Sequence, residues 1–273
     1  MHLLNRIRSE LKQLGLRPRK SLGQNFLINE GVYRKIITAL EIKPDDTVIE
    51  IGPGLGTLTE YLATSGACVV AVEKDHKLAE YLKAKFFGNN RVIIVEEDIL
   101  KFLPSDYKLQ TINYKLVGNI PYYLTSHLLR TVFEEWPRPR IVVLTIQKEV
   151  AQRITARPPD MSLLAISVRY YADANIIGYV SRKSFWPEPS VDSALLRLNP
   201  KSEIRNPKKD EQFFKIVKIG FAGKRKQLVN NLARGLGLSK SVVEEKLNVA
   251  GIEPTRRAET LTVSEWESLS RMF

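Results

Sequence analysis

Alternating β-branched runs and helical segments between residues 47 and 155 constrain the fold more than any other feature of this sequence. Short runs such as 47–51 and 68–72 are rich in β-branched and other apolar residues, and each precedes a segment whose apolar residues recur at helical spacing. Continuously apolar strands suit a sheet that is buried on both faces, and the helices between them provide the crossovers that parallel strands need. The pattern therefore predicts an α/β fold with a doubly wound, Rossmann-like sheet.

The predicted elements follow from these periodicities. Residues 1–15 have leucine and isoleucine at helical spacing and predict an N-terminal amphipathic helix. Two late strands, 174–180 and 194–198, are predicted as an antiparallel edge pair. The other predicted strands are 47–51, 68–72, 91–95, 115–117 and 141–146, and the helices between them are 57–64, 75–86, 126–135 and 148–155.

A polar, proline-containing stretch over residues 199–209 predicts a division of the chain. We expect one domain over residues 1–200, which includes the N-terminal helix and a basic loop within residues 1–28. Helical patterns over 210–221, 226–234, 240–249 and 263–272 predict a small all-α domain over residues 201–273.

The charge of the chain is strongly and unevenly basic. Of the net charge of +12, residues 201–273 carry +6 and residues 1–20 carry +5. Such an excess favours a polyanionic partner, nucleic acid first and an anionic membrane surface second. One cysteine, Cys68, excludes an internal disulfide, and the three histidines are too scattered to predict a metal site. No apolar run has membrane-spanning length, so we expect a cytoplasmic protein without a membrane or metal.

A glycine-rich turn follows the first strand of the alternating region, at Gly52, Gly54 and Gly56. Glycines between a strand and a helix allow a ligand to approach the backbone, and both nicotinamide enzymes and adenosylmethionine-dependent methyltransferases use them. The third glycine is out of register for the nicotinamide fingerprint, and Pro53 removes an amide that pyrophosphate needs. With Glu50 preceding it, the turn favours a ligand with an amino-acid tail.

Acidic residues also end the next two strands. Glu73 can accept hydrogen bonds from both ribose hydroxyls, and Asp98 can accept one from a cofactor adenine that Ile99 covers. Each carboxylate alone is more commonly a helix cap or a solvated charge. Here suitable residues stand at three successive strand ends: Glu50 with the glycine turn, Glu73 and Asp98. Together they favour a nucleoside-containing cofactor instead.

Asn119, Pro121 and Tyr122 stand at the end of the fourth strand. The Asn119 carboxamide oxygen and a nearby backbone carbonyl can accept both hydrogens of a planar amine, while Tyr122 can stack on its ring. Pro121 keeps the preceding residue extended, which lets these acceptors converge. The alternative is a strand that ends at a proline and turns into a helix.

Seven segments in order resemble the KsgA-type ribosomal RNA adenine dimethyltransferases, over nearly the whole chain. They are residues 20–27, 50–56, 119–122, 147–151 and 185–193, together with Glu73 and Asp98. The resemblance implies a Rossmann-like methyltransferase sheet, the cofactor S-adenosylmethionine and a ribosomal RNA substrate. Residue 120 is isoleucine where that family has leucine, and residues 223–226 are Gly-Lys-Arg-Lys where it has consecutive arginines.

The resemblance also implies a role for each site residue. Gln24, Asn25 and Leu27 would close over the methionine end of the cofactor, which Gly52 and Gly54 border. Glu73 would hold the ribose, and Asp98 with Ile99 the cofactor adenine. The target base would be held by Asn119, Pro121, Tyr122 and Phe185, although Phe185 could instead be a core aromatic. Asn119 would also be one of the cofactor-binding residues.

The implied reaction is N6-dimethylation of two adjacent adenosines in a hairpin loop near the 3′ end of 16S ribosomal RNA. We expect a monomer that acts on a precursor of the small ribosomal subunit. Three alternatives stay open: a 23S ribosomal RNA dimethyltransferase that confers antibiotic resistance, a non-catalytic RNA-binding assembly factor, and a DNA adenine methyltransferase.

Overall fold

The computed structural model describes residues 3–19, 23–107, 114–121, 124–202 and 206–273. Within these ranges the helices are α1 (Leu3–Gln13), α2 (Glu30–Leu40), α3 (Thr57–Thr64), α4 (His76–Lys85), α5 (Thr125–Glu134), α6 (Lys148–Thr155), α7 (Leu163–Tyr171), α8 (Pro207–Gly220), α9 (Leu228–Leu236), α10 (Lys240–Val249) and α11 (Val263–Ser270). The strands are β1 (Phe26–Leu27), β2 (Thr47–Ile51), β3 (Cys68–Glu73), β4 (Val92–Glu96), β5 (Tyr114–Asn119), β6 (Ile141–Gln147), β7 (Ala172–Val180), β8 (Phe185–Trp186) and β9 (Ser193–Pro200).

Seven strands form one sheet in the order β4-β3-β2-β5-β6-β9-β7. Strands β2 to β6 are parallel, and β9 runs antiparallel to β6. The chain winds from β2 outward to β4, and then returns to the other side of β2 to form β5 and β6. The predicted doubly wound, Rossmann-like sheet is therefore confirmed, and its switch point lies between β2 and β5.

The centre of the sheet is apolar because its strands are covered on both faces. In β2, Val48 and Ile49 are completely buried. At the switch point Gly118 of β5 pairs with Ile51, and a Cβ at Gly118 would lie 2.8 Å from the Ile51 Cβ. Only glycine allows the strands to approach in this way at the end of the sheet where β2 and β5 finish.

Three elements in the structure were absent from the sequence prediction. Helix α2 begins at the Asn29 cap, but its segment includes a glycine and several β-branched residues, which weaken a helical pattern. Helix α7 is short and mostly apolar, so periodicity does not separate it from a buried strand. The β1–β8 pair has two residues in each strand, too few to show alternation.

Residue contacts divide the chain into two compact units. The first comprises residues 1–151 and 175–200, and its core extends from α1 through the central sheet. The second comprises residues 152–174 and 201–273 and has a separate core, formed mainly by α7 to α11 and centred on Trp266 and Phe213. A domain boundary at residue 200 stays a prediction. None of the helices in the described ranges has the length and apolar character that a membrane span requires.

Candidate active site

A cavity of about 220 Å³ opens where the parallel strands end, beside Ile51, Glu73 and Asn119. It lies at the switch point of the sheet, where α/β folds of this type bind ligands. Among the residues that line it are Gly23, Gln24, Asn25, Leu27, Gly52, Gly54, Glu73, Asp98, Ile99, Asn119 and Pro121. Of the predicted site residues that the structure describes, all except Phe185 therefore line this one cavity.

The glycine turn between β2 and α3 presents its backbone to this cavity. Gly52 and Gly54 have φ angles of 62° and 59°, in the left-handed region that favours glycine. A Cβ built on Gly52 meets no atom within 4 Å, so this part of the turn faces open space. A Cβ on Gly54 would lie 3.1 Å from the ring of Phe26, which covers that glycine.

Glu73 ends β3 and is only 7% exposed. Its Oε2 accepts a hydrogen bond from the Gly54 N–H at 3.1 Å, and its Oε1 accepts one from the Asp75 N–H at 2.9 Å. Burial raises the pKa of the Glu73 carboxyl, and the two backbone hydrogen bonds oppose that rise. Each oxygen keeps a second lone pair, so the carboxylate is oriented without losing its capacity to accept hydrogen bonds from a ligand.

Asp98 lies beyond the end of β4 and is engaged on both oxygens. Its Oδ2 accepts a hydrogen bond from Lys74 Nζ at 2.7 Å, and its Oδ1 accepts one from the Leu100 N–H at 3.1 Å. Partial burial by itself raises the pKa of this carboxyl, but these hydrogen bonds outweigh burial and the pKa is lowered. Asp98 is therefore held in its ionised form, with Ile99 buried beside it.

Asn119 is the last residue of β5, and its amide group has a defined orientation. Its Nδ2 donates a hydrogen bond to the backbone carbonyl of Asn25 at 2.8 Å. Because that carbonyl can only accept, the amide nitrogen must face it, and Oδ1 is directed elsewhere. Among the described residues no donor contacts Oδ1, so this atom can accept a hydrogen bond from a ligand in the cavity.

The loop that carries Asn25 is fixed by Asp75, which the sequence pattern indicated only as the start of a helix. Asp75 Oδ2 accepts a hydrogen bond from Gln24 Nε2 at 3.3 Å and pairs with the Arg19 guanidinium at 3.4 Å. Gly23 packs so closely on Pro121 that a Cβ there would lie 2.8 Å from the Pro121 Cβ. An aspartate at a helix N-cap, two residues after the predicted ribose-binding Glu73, is the sequence signal that could have identified this anchor.

Of the two aromatic residues predicted to hold the target base, the structure describes Phe185. Phe185 lies in β8, where it pairs with Leu27 of β1, and it is 3% exposed within the core. It is not among the residues that line the cavity. Tyr122 lies outside the described residues. The role of each in holding a base stays a prediction.

Glu50, which precedes the glycine turn, is a second buried carboxyl in the cavity wall. It is 2% exposed and accepts a hydrogen bond from the Thr59 hydroxyl at 2.6 Å. Burial raises the pKa of Glu50 to about 8, and the nearby Glu73 carboxylate adds to the rise. This side chain is therefore largely protonated at neutral pH, in contrast to Asp98.

Comparison with known proteins identifies the family. The sequence model described as "Ribosomal RNA adenine dimethylase" matches residues 15–273. The chain belongs to the ribosomal RNA adenine dimethylase family. A "Ribosomal RNA small subunit methyltransferase A" from Dehalococcoides mccartyi (strain BAV1) is 46% identical, over 93% of this chain and 88% of the relative. A protein of the same name from Moorella thermoacetica is 39% identical, over 96% and 94% of the two chains.

Solved structures agree with this family assignment. A dimethyladenosine transferase from Plasmodium falciparum superimposes with a TM-score of 0.77 at 26% identity, covering 89% of this chain and 95% of that one. The 23S rRNA methyltransferase ErmE superimposes with a TM-score of 0.74 at 28% identity, covering 91% and 99%. The predicted methyltransferase fold and enzyme class are confirmed.

The predicted cofactor, S-adenosylmethionine, fits this cavity. The open space at Gly52 admits a ligand against the backbone, and two carboxylates at adjacent strand ends can accept hydrogen bonds from hydroxyl and amine groups. Ile99 adds an apolar surface that suits a purine ring. The donors and acceptors of this site therefore match those of a nucleoside with an amino-acid tail.

Proposed function

We propose that this chain transfers methyl groups from S-adenosylmethionine to N6 of two adjacent adenosines in a 3′-terminal hairpin loop of 16S ribosomal RNA. Each adenosine is dimethylated, and the reaction contributes to maturation of the small subunit. The enzyme acts as a monomer in the cytoplasm, on a precursor of the small subunit. The names of its relatives and the strongly basic chain support this substrate.

The orientation of Asn119 is the observation that carries the proposal. Its Nδ2 is engaged by the Asn25 carbonyl, so Oδ1 is the atom available to the exocyclic amine of an adenine. The lone pair of that amine is conjugated into the ring, which makes it a weak nucleophile. A hydrogen bond to Oδ1 favours a more tetrahedral nitrogen and stabilises the positive charge that develops on it.

S-adenosylmethionine supplies a methyl group that is already activated on a sulfonium centre. The protein has mainly to align the amine with that methyl group, which is an effect of proximity and orientation. Asn119 positions the amine at the switch point, and Pro121 restricts the backbone that follows Asn119. The reaction requires no strong base, because the amine loses its proton only after its nitrogen has become cationic.

The remaining predicted residues hold the cofactor. Glu73 accepts hydrogen bonds from the ribose, and Asp98 accepts one from the adenine that Ile99 covers. Gly52 and Gly54 border the methionine end, which the loop residues Gln24, Asn25 and Leu27 close over. Asp75 supports that loop through its contacts with Gln24 and Arg19.

Tyr122 and Phe185 are proposed to contact the two faces of the target adenine. The Phe185 ring is buried where β8 meets β1, so contact with a base requires its exposure when RNA binds. A Phe185→Leu variant tests this role, because leucine fills the core but presents no ring. We expect a raised KM for RNA with cofactor affinity unchanged.

The experiment that tests the function is methyl transfer from labelled S-adenosylmethionine. The protein is incubated separately with undermethylated small subunits, large subunits, naked ribosomal RNA and DNA, and the labelled base is mapped. We expect two adjacent N6-dimethylated adenosines in small subunits. Label in DNA, or the absence of label in every substrate, would contradict the proposal, and the second result would favour a non-catalytic assembly factor.

A second candidate is dimethylation of 23S ribosomal RNA. It is favoured by the similarity to ErmE over nearly the whole chain. The small-subunit relatives are more similar in sequence, at 38% to 47% identity against 28%. Label confined to large subunits would establish this candidate in place of the first.

A further inference from the structure

One motif of the resemblance, residues 147–151, has no role in the site described above. It begins at the end of β6 and continues into α6. Its Lys148 places Nζ over the ring of Tyr179 in β7, 5.2 Å from the ring centroid. Tyr179 is 58% exposed, so much of this side chain is accessible to solvent although Lys148 lies over one part of the ring.

This Lys148–Tyr179 pair lies at the same end of the strands as Asn119. Thr145 of β6 pairs with Asn119 and lines the cavity, and Lys148 follows three residues later. Strands β6, β9 and β7 succeed β5 in the sheet. Three strand spacings separate Tyr179 from Asn119 laterally, about 14 Å. The pair is therefore within reach of nucleotides that flank a base held at Asn119.

The chemistry of the pair suits a nucleotide. An aromatic face can stack on any base, and an ammonium group beside it can bind the phosphate of the same strand. Among the described residues, no aspartate or glutamate forms an ion pair with Lys148. Ile177, two residues before Tyr179 on the same face of β7, is 37% exposed and extends the apolar surface.

The position of the ring separates it from an ordinary exposed aromatic. Phe87 is 92% exposed, but it lies between α4 and β4, at the opposite edge of the sheet. Of these two exposed aromatics in the described ranges, only Tyr179 stands at the edge where RNA would enter, and only Tyr179 has a cation over its ring.

We propose that Tyr179 and Lys148 form a binding platform for a single-stranded RNA nucleotide next to the methylated adenosines, with the base stacked on Tyr179 and its phosphate paired with Lys148. The proposal rests on the proposed function in that the partner is RNA. It adds a contact outside the cavity that selects for an unpaired strand around the target. A single-stranded segment satisfies the platform, because a base inside a duplex has both faces stacked on its neighbours.

Binding is measured by fluorescence anisotropy with a fluorescein-labelled short oligouridine, without S-adenosylmethionine. For Tyr179→Ala we expect affinity to fall by at least about fivefold, the loss of one base stack. Tyr179→Phe keeps the ring and should bind like the unchanged protein.

Lys148→Met keeps the aliphatic stem, and we expect the slope of log affinity against log salt to decrease in magnitude by about 0.7. Phe87→Ala is the matched control and should change neither quantity.

Equal affinity of the Tyr179→Ala variant and the unchanged protein would overturn the platform, as would an equal loss in Tyr179→Phe. A loss that appears only with whole subunits, and not with oligouridine, would indicate a ribosomal protein as partner and also overturn it. Thermal melting confirms that each variant is folded. Methyl transfer to small subunits is measured separately, so a failed platform with intact methylation is distinguishable from a failed function.

Discussion

The two halves of the active site are built in different ways. The cofactor half is defined by Gly52, Gly54, Glu73 and Asp98. Its two carboxylates accept hydrogen bonds from the backbone N–H groups of Gly54, Asp75 and Leu100. The base half, defined by Asn119, Pro121 and Phe185, depends on the loop that follows α1. Asn119 donates to a carbonyl 94 residues earlier, and Phe185 pairs with Leu27. The carboxylates proposed to hold the cofactor are thus oriented by nearby backbone groups, whereas the residues proposed to hold the base are oriented by the loop. The same loop supplies Gln24, Asn25 and Leu27 to the methionine end of the proposed cofactor site.

The largest effect should come from breaking the base half at Asn119. Asn119→Ala removes the acceptor for the target amine, and we expect methyl transfer to fall by about 10² to 10³-fold, as for loss of one transition-state hydrogen bond. The hydrogen bond to Asn25 is lost as well, so cofactor affinity should fall by about fivefold at most. Single-turnover transfer to small subunits and calorimetric titration with S-adenosylmethionine measure the two effects.

Asn90→Ala is the matched control for that variant, because Asn90 is exposed two residues before β4 and is not among the residues that line the cavity. It should leave both quantities unchanged. If Asn119→Ala lowered cofactor affinity as much as turnover, Asn119 would belong to the cofactor half and the distinction between the halves would fail.

The sequence predicts the cofactor half better than the base half, because the first depends on local signals and the second on contacts between distant segments. A strand end, a left-handed glycine and an acidic residue are local signals, so the sequence alone is enough to assign Gly52, Glu73 and Asp98 to the cavity. The contact between Asn119 and Asn25 joins residues that no periodicity relates. It needs β1 and β8, whose two-residue strands leave no pattern. Asp75 was missed for the same reason, because its partners, Gln24 and Arg19, lie in the distant loop.

A smaller effect is expected from breaking the cofactor half at Glu73. Glu73→Ala removes the acceptor of the Gly54 and Asp75 N–H groups, together with the carboxylate that would bind the ribose. Hydrogen bonds to a charged group are worth about 1.5 to 3 kcal/mol, so we expect S-adenosylmethionine to bind about ten- to a hundredfold more weakly. Turnover at saturating cofactor should change much less.

Glu80→Ala serves as the control for Glu73→Ala, because its side chain is 63% exposed on α4. It should bind the cofactor normally. If Glu73→Ala lost turnover that no cofactor concentration restored, the two halves would be coupled through the glycine turn rather than separate.

The pH dependence of stability distinguishes Glu50 from the other carboxyls of the cofactor half. Burial raises its pKa to about 8, so the folded chain keeps a proton that the unfolded chain releases near the ordinary glutamate pKa of 4.5. The folded state then binds more protons, and stability falls as pH rises between those values, by at most about 1.4 kcal/mol per pH unit. Glu50→Gln keeps the acceptor for Thr59 and should flatten this decline.

Denaturant unfolding of both proteins from pH 5 to pH 8 measures the difference. We expect the Glu50→Gln variant to gain stability relative to the unchanged chain as pH rises. Parallel curves across this range would mean that Glu50 is ionised in the folded protein, and that the cavity wall is less apolar than its burial indicates.

The smallest effect should come from Lys74, which occupies the Oδ2 atom of Asp98 in the cofactor half. Lys74→Met releases that acceptor, while Asp98 remains ionised at neutral pH because its ordinary pKa is near 3.9. An exposed ion pair contributes about 1 kcal/mol at most, so we expect S-adenosylmethionine to bind more tightly by up to about fivefold. The pKa of Asp98 should also rise towards its usual value, because the hydrogen bond from Lys74 helps to lower it.

Lys77→Met, at an exposed position on α4, is the control for loss of charge in titration calorimetry. A weaker rather than tighter cofactor complex would show that Lys74 is itself part of the cofactor half.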